Sequence, residues 1–287
     1  ELVPAGETEF AKDKTFGYKS SNMTEYIEEK TAGAFKKETV TCISLEDLRA
    51  RKIDAIAAQL EKVTGFNKVI VNAVAPCDVK VFVIALYKAM ALGKHFMFRS
   101  AAGLVKEMGG ISDKPLLTRT EMVKTTSPNG GIVVVGSHTQ KTTSQLEALK
   151  TLPGVEALEF NSDLVLDDAK FTEEVNRMVA KEEELLKAGK TVVVYTRRKL
   201  LSLEGDTKKA ALERSVKISD AVQSLVGKLN ITPAFVVAKG GITSSDIGTK
   251  ALRVKRALVL GQIQPGIPVW ETDAQSKFPG IPYVIFP

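Results

Sequence analysis

Short apolar runs alternate with longer amphipathic stretches along nearly the whole chain, and this alternation limits the possible folds more than any other feature. In the second half, apolar runs at 132–135, 155–160, 191–195 and 235–237 are separated by stretches with helical periodicity. The runs are apolar on both faces, which is typical of parallel strands that helices cover on both sides. We therefore predict an α/β protein of two domains, with mainly parallel sheets flanked by helices.

The first half shows the same alternation with shorter elements. Strands are predicted at 39–43, 68–74 and 96–98, each followed by a stretch with helical periodicity. The polar segment 125–131 then interrupts the pattern with the Thr, Pro, Asn and Gly residues expected of a turn or linker. We predict a first domain over 1–125 and a second domain over 131–287.

The composition narrows the choice of ligand. The chain of 287 residues is 44% hydrophobic and carries a net charge of +6. Its basic residues are scattered, apart from the runs 197–199 and 253–256, and no nucleic-acid-binding motif accompanies them. Either solvated helix ends or the attraction of a phosphate or carboxylate ligand would explain this charge. No apolar run approaches the ~18 residues that a membrane span needs. We expect a small-molecule partner, and neither nucleic acid nor a membrane.

The cysteines and the acidic cluster favour structural or solvated roles. Cys42 and Cys77 have no metal-ligand spacing, so we predict no metal site. Two cysteines are also too few for a disulfide framework, which favours a cytoplasmic location. The consecutive residues Glu182, Glu183 and Glu184 would point in different directions around a helix, which predicts a solvated face. The chain begins without Met and without a signal sequence, so the start is interpreted as a cut or a processing site.

Two strand-to-helix junctions share one pattern, in which glycine follows a strand and hydroxyl residues begin the next helix. Glycine allows a ligand to approach the backbone, and a helix N-terminus favours an anion such as phosphate. The same residues are also the ordinary ones for turns and helix caps, so a purely structural role stays open. The glycine spacing fits neither a Walker A loop nor a dinucleotide fingerprint. The candidate ligand-binding residues are Ser137, His138, Thr139 and Thr142 in the first junction and Gly240, Gly241, Thr243 and Ser244 in the second.

One arginine and the two histidines are the remaining residues that could take part in chemistry. Arg99 follows the predicted strand 96–98, where its guanidinium could clamp a carboxylate or phosphate, or form a salt bridge between domains. His95 opens that strand and is predicted to be structural, whereas His138 lies within the first junction. No nucleophile and no Ser-His-Asp order stands out, so no catalytic residue is assigned.

Several ordered segments resemble the four-carbon acid sugar kinases. They are TEFAKD at 8–13 with FGY at 16–18, GSHT at 136–139 with KTT at 141–143 and QL at 145–146, KGGITS at 239–244, and GQIQPGIPVW at 261–270. The resemblance implies ATP-dependent phosphorylation of a hydroxyl group of threonate, erythronate or an oxo-tetronate, with Mg²⁺ bridging the phosphates. It also implies an N-terminal sugar-acid domain and a C-terminal nucleotide domain, in which Ser137 and the loop at Gly240 and Gly241 touch ATP.

The chain departs from the family at both ends. It has no Asp-Asp-x-Thr-Gly segment near its start and no Gly-Asn-x-Gly turn after Phe286 and Pro287. We therefore expect a truncated chain that supplies mainly the nucleotide-binding half and is inactive alone. A non-catalytic nucleotide-binding or regulatory module is the main alternative, and a periplasmic-type binding protein is a third. Whether the protein forms a homodimer stays open.

Overall fold

A computed structural model describes residues 2–13, 16–123 and 127–286. The chain divides into two compact units, Glu1–Asp113 and Lys114–Pro287. Of the predicted linker, Thr125 and Thr126 lie outside the described residues, as do the expected chain ends at Glu1 and Pro287. The segment just before the linker belongs to the second unit, where the backbone N–H of Leu117 donates a hydrogen bond to the carbonyl oxygen of Gln262 at 2.9 Å.

The first unit is a small α/β unit. Its described part contains a two-stranded parallel sheet, in which Cys42 lies opposite Ile70. The helices α3 and α4 pack together over this sheet and bury Ile56, Leu60 and Leu86 completely. The elements are β1 (Thr41–Ile43), β2 (Val69–Val71), α1 (Met23–Lys30), α2 (Leu45–Arg49), α3 (Ile53–Glu61), α4 (Pro76–Ala91) and α5 (Ala102–Met108).

The prediction of a strand at 96–98 is wrong. Residues 96–98 have no strand conformation, since no described segment pairs with them. Phe96 packs against the core of the unit, whereas Met97 is 84% exposed. His95, predicted to be structural, is exposed as well. A short apolar run therefore marks a partly buried connection here and not a strand.

The second unit is built on a seven-stranded sheet within the described residues, in the order β4-β5-β3-β6-β9-β8-β7. The first five strands of this order are parallel to one another, and β8 runs antiparallel to both of its neighbours, β9 and β7. The strands are β3 (Ile132–Val135), β4 (Val155–Phe160), β5 (Thr191–Thr196), β6 (Val236–Lys239), β7 (Ala257–Gln264), β8 (Ile267–Thr272) and β9 (Pro282–Phe286). The helices are α6 (Arg119–Met122), α7 (Gln140–Lys150), α8 (Asp168–Lys187), α9 (Lys208–Gly227) and α10 (Gly241–Asp246), the last continuing as a π-helix over Ile247–Ala251.

Helices cover both faces of this sheet, as predicted. On one face, Ile132 and Val134 pack against α8, α9 and the continuation of α10. On the other face, Val135 packs against Leu146 of α7, and Leu117 covers the antiparallel end of the sheet. The prediction of a mainly parallel sheet flanked by helices is confirmed.

The strand β8 is absent from the sequence-based prediction. It pairs with β7 through a tight turn, where Gly266 has a φ of 82° and the side-chain oxygen of Gln262 accepts the Gly266 N–H at 3.0 Å. The Gly and Pro residues around 261–268 indicate a loop. Pro268 lies in β8 nonetheless, and the antiparallel hairpin follows from that single turn.

The solvated face predicted for residues 182–184 is wrong for one of the three glutamates. Glu184 is exposed, but Glu182 is completely buried between Met178 and Leu186 on the inner face of α8. Neither carboxylate oxygen of Glu182 has a hydrogen-bond partner among the described residues. Burial, with a smaller contribution from Glu183, raises the pKa of Glu182 to about 8.

The described helices include none long and apolar enough to cross a bilayer.

Candidate functional site

The candidate site lies where the chain reverses its direction across the large sheet. The strands β3 and β6 are parallel neighbours, with Val135 opposite Lys239 at their carboxyl ends. From β3 the chain runs to β4 and β5 on one side, and from β6 it runs to β7, β8 and β9 on the other. Such a switch point opens a crevice beyond the carboxyl ends of the strands, which is where open α/β sheets bind ligands.

The two predicted loops meet at this switch point. A β-carbon placed on Gly136 would lie only 2.2 Å from Oγ1 of Thr243, so the contact requires glycine. Gly240 has a φ of 110°, and a β-carbon there would lie 3.3 Å from Cβ of Ser137. Both glycines therefore let the loop after β3 and the loop after β6 pack against each other.

Hydroxyl groups organise the first loop, residues 136–139. The Thr139 side chain caps α7 by accepting the backbone N–H of Thr142 at 3.3 Å. The Thr142 hydroxyl donates to Oγ of Ser137 at 3.2 Å, and Thr142 itself is buried. Thr142 thus stabilises the loop from its buried side, whereas Ser137 is half-buried and Thr139 is exposed.

The second loop combines an exposed helix start with a buried anchor. Gly241 is exposed at the first position of α10, and a β-carbon there would meet no other atom within 4 Å. Ser244 is buried, and its hydroxyl donates to the carbonyl oxygens of Ala238 and Gly240 at 2.9 and 2.7 Å. The first backbone N–H groups of α10 have no acceptor within the helix and remain available to a ligand. Ser244 therefore fixes the loop from inside the protein, and Gly241 leaves the start of α10 exposed to solvent.

His138 connects the first loop to the segment after β5. Its Nε2 lies 3.0 Å from the carbonyl oxygen of Arg197 and 3.3 Å from Oγ1 of Thr196. Burial, together with the positive charge of Arg198, lowers the pKa of the His138 imidazole. The neutral imidazole donates Nε2–H to the Arg197 carbonyl and so links the two loops. This ring nitrogen is therefore not free to contact a ligand.

Positive charge accumulates around the crevice. Burial and the neighbouring Lys141 lower the pKa of Lys239, which ends β6. Burial also lowers the pKa of Arg198, which follows β5. Both shifts mean that the surroundings disfavour the charged forms of Lys239 and Arg198, and a bound anion would stabilise these charges. Neither Lys239 nor Arg198 is among the site residues predicted from the sequence, although the basic run at 197–199 directly follows a strand.

Arg99 lies in the first unit and is exposed. Its guanidinium donates to the hydroxyl oxygen of Tyr26 at 3.2 Å and stacks 5.6 Å from the centre of the Tyr26 ring. Tyr18 meets the same ring edge-on at 5.4 Å. Among the described residues, no group of three His, Cys, Asp or Glu side chains is arranged as a metal site.

Comparisons with known proteins match both halves of the chain. Residues 132–287 match the family model of a nucleotide-binding C-terminal domain, and residues 1–108 match that of a sugar-binding N-terminal domain. No curated protein matches the chain.

A solved structure shares the fold. It is a crystal structure from Salmonella typhimurium LT2, provisionally named a tRNA synthase, with 12% identity and a TM-score of 0.61. The match covers 98% of this chain and 63% of that one, so the present chain spans less than two thirds of its length. At this identity the likeness concerns the fold alone.

Proposed function

Because this chain belongs to the four-carbon acid sugar kinase family, we propose that it takes part in the ATP-dependent phosphorylation of a hydroxyl group of a four-carbon sugar acid, such as threonate, erythronate or an oxo-tetronate. One observation carries the proposal. The close packing of Gly136 against Thr243 brings two strand-to-helix loops to one crevice, and this crevice lies in the unit that matches a nucleotide-binding domain.

The residues around the crevice fit a nucleotide phosphate chain. The backbone N–H groups at the starts of α7 and α10 would bind phosphate oxygens, with Ser137 adding a hydroxyl group, whereas the Thr139 hydroxyl is engaged with Thr142 as the cap of α7. Lys239 would supply positive charge beside them. ATP bound there would supply the phosphoryl group that is transferred, and Mg²⁺ would neutralise part of its charge.

Two of the predicted contacts act indirectly in this proposal. Thr142 and Ser244 are buried, and their hydroxyl groups bond within the protein. Thr142 orients Ser137, and Ser244 fixes the loop that presents Gly241. His138 likewise holds the first loop through the Arg197 carbonyl.

The sugar acid would bind in the first unit. Arg99 is exposed and holds its guanidinium over the ring of Tyr26, which Tyr18 contacts edge-on. Such a group suits the carboxylate of a sugar acid. The aromatic ring limits the directions in which the guanidinium can point, so its position is partly set before the substrate binds.

A turnover assay tests this function. The full-length protein is incubated with ATP and Mg²⁺, and ADP release is measured with threonate, erythronate and oxo-tetronates in turn. We expect ADP release that depends on one of these acids and falls when Arg99→Met replaces the wild type. Saturable ATP binding without turnover for any sugar acid would instead support a nucleotide-binding regulatory module.

A further inference from the structure

Arg198 is the residue that joins the segment after β5 to the phosphate-binding loop. Its Nη2 donates to the carbonyl oxygen of Ser137 at 2.6 Å and to Oγ1 of Thr143 at 2.9 Å. Ser137 belongs to the loop, and Thr143 belongs to the first turn of α7. One nitrogen therefore fixes the loop to the helix that it precedes.

The bond to Ser137 also sets the direction of the next N–H group. In a trans peptide the C=O and N–H groups point in opposite directions. The Ser137 carbonyl points toward Arg198, so the N–H of His138 in the same peptide points away from Arg198. The His138 side chain returns to the Arg197 carbonyl at 3.0 Å, which gives this peptide a second link to the segment after β5.

The charge of Arg198 is poorly compensated. Its Nε and Nη1 are buried and have no hydrogen-bond partner among the described residues. The residue lies beside the N-terminus of α7, whose dipole is positive at that end. Burial lowers the pKa of its guanidinium, and the charge of Glu147 offsets this only in part. A cation in this setting is stabilised when an anion binds to the loop.

We infer that Arg198 is a positioning residue of the nucleotide site, which aims the Ser137–His138 peptide N–H at a phosphate group and attracts that phosphate with its own charge. The inference rests on the proposed function, since it assumes that the crevice binds a nucleotide. It assigns to Arg198 a role that depends on the phosphates and not on the nucleoside.

The test compares ATP with adenosine, which has no phosphate. Dissociation constants of both ligands are measured by calorimetry for the wild type, Arg198→Met and Arg198→Lys. We expect Arg198→Met to weaken ATP binding about 10- to 100-fold, because the peptide N–H loses its orientation and the phosphates lose a nearby positive charge, and to leave adenosine binding within about twofold. Arg198→Lys keeps the charge and should recover part of the affinity for ATP.

Lys199→Met is the matched control. The side chain of Lys199 is exposed and directly follows Arg198, so the substitution removes one positive charge from the same segment. We expect this variant to bind ATP as the wild type does. If Arg198→Met fails to fold, as judged by Trp270 fluorescence, a comparison of Arg198→Lys with Lys199→Met still measures the loss of the guanidinium fork.

The outcomes separate the two claims. Equal weakening of ATP and adenosine by Arg198→Met would mean that Arg198 only supports the fold of the second unit, and unchanged ATP binding would mean that it has no role at the site. Either result overturns the inference and leaves the proposed function standing. A wild-type protein that does not bind ATP would overturn both.

Discussion

Replacing the buried carboxyl group of Glu182 should change how the stability of the second unit depends on pH. The side chain is completely buried, has no hydrogen-bond partner among the described residues, and has its pKa raised to about 8 from the ordinary value of 4.5. Between these two values the folded protein keeps the proton that the unfolded chain releases. The contribution of this group to the free energy of unfolding is therefore highest below pH 4.5, and falls as the pH rises toward 8.

The size of the effect follows from the shift. One pKa unit corresponds to about 1.4 kcal/mol, so this one group should lower the free energy of unfolding by about 2 kcal/mol between about pH 6 and pH 8. Glu182→Met fills a similar volume without an ionisable group. We expect this variant to lose that part of the pH dependence and to be more stable than the wild type at about pH 8, by about 4 kcal/mol.

Urea unfolding followed by fluorescence is a suitable assay. The chain has a single tryptophan, Trp270, which lies in β8 of the same unit as Glu182. Glu184→Met is the matched control, because Glu184 lies on the same helix but is exposed and pairs with Lys181. A Glu182→Met variant with the pH dependence of the wild type, or with lower stability at about pH 8, would contradict this prediction.

Two further predictions concern the crevice. Gly136→Ala should weaken ATP binding at least tenfold because the new methyl group would overlap Oγ1 of Thr243, which lies 2.2 Å from its position, and adding Thr243→Ala should restore part of the affinity. Calorimetry on the two single variants and the double variant checks this, and a double variant no better than Gly136→Ala would contradict it. Tyr283→Phe should lower the free energy of unfolding by about 1 to 2 kcal/mol, because the buried hydroxyl donates to the Ser244 carbonyl at 2.5 Å. Urea unfolding measures this loss, and an unchanged midpoint would exclude it.

The parallel strands could be predicted from the sequence because their surroundings are apolar on both sides. In β3 and β5, every position is buried or half-buried, so the apolar run itself marks the strand. The strand β8 lacks this signal, since it contains Pro268 and follows a glycine turn. Residues 96–98 are apolar, but no strand among the described residues pairs with them. Whether an apolar run finds a partner strand depends on the tertiary fold and cannot be seen in the run itself.

The candidate site could be predicted only in part. Glycine followed by hydroxyl residues indicated both loops, but their contact depends on β3 and β6 being neighbours, which the strand order decides. Hydroxyl residues are equally suited to ligands and to helix caps, so the sequence does not distinguish exposed Thr139 from buried Thr142. Likewise, the basic run 197–199 does not reveal which arginine turns toward the loop. That depends on the path of the backbone after β5.

The most direct test of the account is ATP binding by a variant that carries a carboxylate at the start of α10. Gly241→Asp introduces no steric conflict, since nothing lies within 4 Å of a β-carbon there, and an acidic residue in the first turn is compatible with the helix. Gly103→Asp, in the first turn of α5 and equally free of contacts, is the matched control.

Isothermal titration with ATP and Mg²⁺ on the wild type and both variants gives the answer. We predict saturable binding by the wild type and by Gly103→Asp, and a loss of at least tenfold in affinity for Gly241→Asp, because its carboxylate repels the phosphates. Binding that is the same in all three proteins would contradict the placement of the phosphates at this crevice.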